Sequence, residues 1–168
     1  MTPALELINL RKRFGRTEVI RGASLSVQAG ERMALIGPNG AGKSTLFNLA
    51  SGRLAPDGGQ VLLKGRSVAG LPPYDIHRQG LARSFQVTQV FPSLSVFENL
   101  RCAVLWSRGH GYRLLRLLGG MRGANERVRE LLDLLGLQAR SEVRAMHLTY
   151  AEQRALEIGI TIAGEPEV

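Results

Sequence analysis

Little in these 168 residues suits a membrane span, a disulfide scaffold or a fibre. No apolar run approaches the ~18 residues of a membrane-crossing helix. The first residues, Glu6 among them, lack the basic-then-apolar pattern of a signal peptide. Cys102 is the only cysteine, so no internal disulfide forms and a reducing compartment suits the chain. Aromatic residues make up 5% of the sequence, and few of them interleave with Arg, which counts against a nucleic-acid groove. Internal repeats and low-complexity segments are also lacking.

What is present is a globular composition. Hydrophobic residues reach 44%, enough to bury a sizeable core and too many for disorder. Lys and Arg number 22 against 14 acids, a formal charge of +8. The cations are almost all Arg and are spread along the chain, most densely between Arg101 and Arg129. A solvated face or a docking surface accounts for them as well as a polyanion site does.

The first third reads as strands: Ala4–Leu10 in rough alternation, then Val19–Val27 with Ala23, Leu25 and Val27 on one side. Gly30-Glu31 turns the chain, and the apolar Arg32–Ile36 is expected to be a buried parallel strand. A helix over Ser44–Ala50 follows a glycine-rich loop and stops at Gly52. Gln60–Lys64 is a further strand closed by a Gly65-Arg66 turn, and Pro72-Pro73 precedes a short helical piece ending near Gly80. The second half is helical. Ser95–Glu98 and Thr149–Glu152 are capping boxes that open helices running to about Trp106 and Ala163. Ala124–Leu135 is amphipathic, with Val128, Leu131, Leu132 and Leu135 at helical spacing and Gly136 as its stop. Ser107–Gly123 has no firm assignment.

Gly37-Pro38-Asn39-Gly40-Ala41-Gly42-Lys43-Ser44-Thr45 fits the pattern G-x-x-x-x-G-K-[ST]. Glycines let backbone amides turn toward phosphate oxygens, and the following helix adds its positive end. Lys43 then reaches the β- and γ-phosphates and the Ser44 hydroxyl ligates Mg²⁺. The position between an apolar run and a helix supports this reading.

Three stretches together resemble a family. The loop over residues 37–45, Gln86 in Ala82-Arg83-Ser84-Phe85-Gln86, and Leu148-Thr149-Tyr150-Ala151-Glu152-Gln153 resemble the Walker A loop, Q-loop and signature of ATP-binding cassette (ABC) nucleotide-binding domains. Gly70–Pro73, Ala82–Leu100 and Thr149–Ile158 make the chain most similar to ATPase subunits of branched-chain amino acid importers. The resemblance implies an α/β P-loop NTPase core with an antiparallel β subdomain and an α-helical subdomain, incomplete at the C-terminus. The implied divisions are 1–86 for the core and P-loop, 87–148 for the helical subdomain, and 149–168 for the signature and a return to the core. It implies ATP and Mg²⁺ as cofactors, with Ser44 and Gln86 on the metal. Phe14 either stacks on adenine or is a core residue at a strand end. Thr149 is either an ordinary helix cap or a contact to the γ-phosphate held by a second, head-to-tail subunit. Implied partners are that second subunit, membrane permease subunits and, through them, a periplasmic or extracellular substrate-binding protein. The implied location is peripheral, on the cytoplasmic face of the inner membrane.

The signature departs from the family pattern: the usual Ser is Thr149 and the usual Gly is Ala151, whose Cβ is expected to weaken ATP-driven dimerisation. The family next places an aliphatic strand ending in Asp and Glu, and later a His; the chain reaches Glu167-Val168 where that strand is expected to begin. The 168 residues alone are therefore expected to bind ATP without hydrolysing it, with no catalytic residue among them. Loss of a central strand is expected to leave the chain poorly stable by itself. Besides an amino acid importer subunit, the readings left open are a truncated fragment that only binds ATP and a soluble ABC protein acting on nucleic acid.

Overall fold

The computed structural model describes residues 2–84, 90–107 and 121–168, the last stretch with side chains from 123 onward. Phe85, Gln86 and most of the unassigned segment 107–123 lie outside the described residues. The chain divides into two compact units, residues 1–82 with 167–168, and residues 83–166.

The first unit is built on a sheet of order β2-β1-β3-β4, with every neighbouring pair antiparallel. β1 (Leu5–Phe14) and β2 (Thr17–Val27) form a hairpin, β3 (Gly58–Leu63) pairs with the other edge of β1, and β4 (Arg66–Ser67) is a short edge strand. α1 (Lys43–Ala50) and α2 (Pro73–Arg78) complete the unit. One sheet face is apolar. Leu7, Leu10, Ile20 and Val61 lie on it and pack with Leu49 of α1 and Ile76 of α2, all nearly sealed from solvent. Each such side chain contributes roughly 1.5–3 kcal/mol through burial. β1 continues to Phe14, four residues beyond the alternation read from sequence, because Arg11–Phe14 keep pairing with β2 although their side chains are polar or exposed.

Arg32–Ile36 is not the buried strand expected from its composition. The segment takes no regular structure, and Met33, Leu35 and Ile36 are 48%, 42% and 91% exposed. A parallel strand is buried only when strands flank it and helices cover both faces, and no strand among the described residues pairs with this segment. Met33 and Leu35 instead line an open apolar groove with Leu25, Val27 and Phe47. Parallel pairing does occur at one point: Val168 donates to the Gly80 carbonyl at 3.0 Å and accepts from the Ala82 amide at 2.8 Å.

The second unit packs α3 (Val96–Ser107), α4 (Met121–Leu135) and α5 (Tyr150–Ile162) around Leu100, Val104, Val128, Leu131 and Leu156. Both capping boxes form as the spacing predicts. Ser95 Oγ accepts from the Glu98 amide at 3.1 Å while Glu98 accepts from the Ser95 amide at 2.8 Å. These bonds, the Ser95 amide foremost, hold the Glu98 carboxyl below its ordinary value. Asn99, 1% exposed, accepts from the Phe91 amide and donates to the carbonyls of Phe91, Leu94 and Ser95, fixing the approach to α3.

Candidate functional site

In the first unit, the glycine-rich loop is exposed from Gly37 to Ala41 and enters α1 at Lys43. A turn closes its start, with the Ala41 amide 3.3 Å from the Pro38 carbonyl. Lys43 Nζ donates to the carbonyls of Gly37 and Pro38, the latter at 2.7 Å, so the loop wraps around the ammonium group. The helix N-cap is Gly42, at φ 87°, which offers no side-chain acceptor, and the first turn carries no acid. The first intrahelical bond runs from the Leu46 amide to the Gly42 carbonyl at 2.8 Å. The amides of Lys43, Ser44 and Thr45 are thus uncapped donors at a positive helix end. An anion supplies the acceptors and the charge this arrangement lacks, so the residues fit a phosphate chain. Ser44 is exposed in the same turn, and a hydroxyl there suits a hard cation such as Mg²⁺. Gly42 also requires the absence of a side chain: a Cβ would lie 2.8 Å from Ile20 Cδ1 and 3.3 Å from the Val19 carbonyl.

Phe14 ends β1, 48% exposed, across the ladder from Thr17. The Lys12 ammonium lies 5.9 Å from its ring centroid, within cation–π range. Lys12 is held by the Ala55 carbonyl at 2.7 Å and by Asp57 at 2.9 Å, and the second Asp57 oxygen accepts from the Arg13 amide at 2.7 Å. The Lys12 bond, then the Arg13 amide, keep the Asp57 carboxyl below its ordinary value.

In the second unit, Leu148 is buried, Thr149 caps α5, and Tyr150 and Ala151 are exposed at the helix start. Glu152 accepts from the Thr149 amide at 2.8 Å and from its hydroxyl at 2.9 Å, and the Arg140 guanidinium meets its other oxygen at 2.9 Å. Gln153 points its amide back to the carbonyls of Ala145 and Leu148. Arg154 lies over the Tyr150 ring at 5.6 Å.

A family model described as ABC transporter matches residues 20–168. The chain belongs to the ABC transporter family. The high-affinity branched-chain amino acid transport ATP-binding protein LivG of Salmonella typhimurium (strain LT2) is 36% identical over 99% of this chain and 67% of its own length. The corresponding BraF protein of Pseudomonas aeruginosa is 33% identical over the same shares. Among solved structures, MJ1267, an ATP-binding cassette of an ABC transporter, superposes with a TM-score of 0.82 at 28% identity, covering 99% of this chain and 67% of that one. The chain thus spans about two thirds of the length of these relatives.

Two residues of this ABC chain escape a reading of motifs. Asp57 braces the strand that carries Phe14, and its only sequence signal is an acid before Gly58-Gly59. Arg140 reaches Glu152 from a short 3₁₀ turn over Gln138–Arg140, a contact that depends on chain folding rather than spacing. Gln86, expected near the metal, lies outside the described residues. Among the described residues no helix is long and apolar enough to cross a membrane.

Proposed function

We propose that these residues form the nucleotide-binding part of an ATP-binding subunit of an importer for branched-chain or related amino acids. The observation that carries the reading is the uncapped start of α1 beside Lys43, which suits a phosphate chain. The names of LivG and BraF support the substrate class.

On this reading, residues 37–45 hold the phosphates through main-chain amides, and Lys43 exchanges its carbonyl partners for phosphate oxygens. Phe14 offers its exposed ring to adenine. Ser44 and Gln86 hold Mg²⁺, which when bound neutralises charge on the phosphates. Leu148, Thr149, Tyr150, Ala151, Glu152 and Gln153 form the signature, presented to the nucleotide of a second, head-to-tail subunit. Closure of that pair moves permease subunits at the cytoplasmic face of the inner membrane, which receive cargo from a periplasmic binding protein. These 168 residues bind ATP without turning it over: hydrolysis takes a carboxylate positioned at the metal, and the two residues assigned to the metal here, Ser44 and Gln86, carry none.

The test is a titration of the chain with ATP, beside Lys43→Ala. Saturable binding lost in the variant, with no phosphate release from either, is expected. Equal affinity of the two proteins sinks the phosphate-loop reading, and robust ATPase activity sinks the binding-only reading.

A further inference from the structure

We propose that Asn9 is a positioning residue for the nucleotide base, because the bulge it forms turns Phe14 onto the sheet face that packs against the phosphate loop. The inference rests on the reading of Phe14 as the base platform.

Residues 5 and 7 of β1 are buried, and so is residue 10, so the alternation changes parity between them. Both ladders record the same extra residue. From Leu7↔Leu25 to Leu10↔Ala23, β1 advances three residues while β2 advances two. From Ile8↔Gln60 to Arg11↔Gly58, β1 again advances three against two in β3. The irregular backbone is at Asn9, with φ 50°, a left-handed conformation that Asn tolerates better than most residues. Its amide donates to Ser24 Oγ at 2.8 Å. On the other flank Gly59, at φ 86°, accommodates it: a Cβ there would overlap the carbonyl oxygens of Ile8 and Asn9.

The parity change decides where the end of the strand points. Without it, residues 8, 10, 12 and 14 would share the side of Ile8, which is 37% exposed. With it, Leu10 and the half-buried Lys12 share the core face, and the alternation of β1 carries Phe14 to the same side beyond the core, where it is 48% exposed. The two later register shifts, at Leu10/Arg11 and Lys12/Arg13, put their extra residues in β2 and leave the parity of β1 unchanged. Lys12 is paired with Ile20, which is 6% exposed. Ile20 is the residue whose Cδ1 would meet a Cβ on Gly42. The bulge therefore brings the aromatic ring to the side of the sheet that touches the phosphate loop, the re-aiming role bulges serve beside binding sites.

The experiment compares affinity for ATP with affinity for inorganic tripolyphosphate, which has no base, in the wild-type chain and in Phe14→Ala, Asn9→Val, Asn9→Gly and Ser24→Ala. Phe14→Ala and Asn9→Val are expected to lose about tenfold in ATP affinity, in line with base–aromatic stacking, with tripolyphosphate affinity unchanged. Asn9→Gly, which keeps the left-handed backbone, should retain both affinities. Ser24→Ala should lose part of the ATP preference, and it carries the test if Asn9→Val does not fold. A parallel fall in both ligands for Asn9→Val, or for Ser24→Ala in its place, overturns the inference. So does an unchanged ATP preference in that variant while Phe14→Ala loses it, a result that leaves the Phe14 reading standing. An unchanged preference in Phe14→Ala removes that reading, and the role of Asn9 with it.

Discussion

Arg140 Nε lies 2.9 Å from Glu152 Oε1, joining the 3₁₀ turn over Gln138–Arg140 to the first turn of α5. Glu152 therefore carries three attachments: the Thr149 amide, the Thr149 hydroxyl and the Arg140 guanidinium. The Thr149 amide foremost holds its carboxyl below the ordinary 4.5. A lowered carboxylate stabilises the fold above its unfolded value, and that contribution is lost as pH falls through the folded value. Glu152→Gln keeps a capping side chain without the charge. Wild type is expected to melt higher than this variant at about pH 7, with a smaller gap at about pH 3. Thermal unfolding at both values checks it, and a constant gap is the contrary result.

Gly42→Ala should damage the phosphate loop in two ways. An L-residue at φ 87° costs roughly 1–2 kcal/mol, and the added methyl presses on Ile20. Stability is expected to fall by about that amount, and ATP affinity with it, because the amides it precedes lose their aim. Denaturant unfolding paired with nucleotide titration reads both. Full affinity in a destabilised variant would separate the loop from the site.

Ala151→Gly is expected to move two observables in opposite directions. Glycine in the first turns of α5 lowers helix stability by up to about 1 kcal/mol. The same change lets the backbone approach a phosphate, so ATP-dependent association of two chains should tighten. Sedimentation with and without ATP tests this, and equal association of variant and wild type refutes it.

Asn99→Ala removes one side chain that satisfies four backbone groups before α3. A loss of about 2–3 kcal/mol in unfolding free energy is expected. Asn99→Asp should be at least as harmful, since a carboxylate cannot donate to the three carbonyls. A neutral result for both would mean that segment 91–95 holds its shape by other means.

Local signals proved the most legible. The two S/T-x-x-E boxes start α3 and α5 at the residues the pattern names, and Gly136 follows the end of α4. The P-loop was readable because its pattern encodes a backbone shape: glycines at the turn, then a helix. What was hidden depended on partners distant in sequence. Arg32–Ile36 has the composition of a buried strand, but burial is conferred by flanking strands, and composition is silent on whether they pair with it. The Asn9 bulge was invisible for a related reason. Leu5, Leu7 and Leu10 are compatible with plain alternation that decays at its end, and only the two ladders show that one residue is extra. Asp57 and Arg140 act across 44 and 12 residues, separations that no motif spacing encodes.

The clasp that Asp57 makes on Lys12 and on the Arg13 amide has a kinetic consequence. It braces the hairpin tip, so on the function proposed above Phe14 meets the nucleotide from a strand already held in place. Capture of the base then removes little chain freedom. The association rate for ATP should resemble that of a rigid receptor, without the slow phase of a loop that must fold around its ligand.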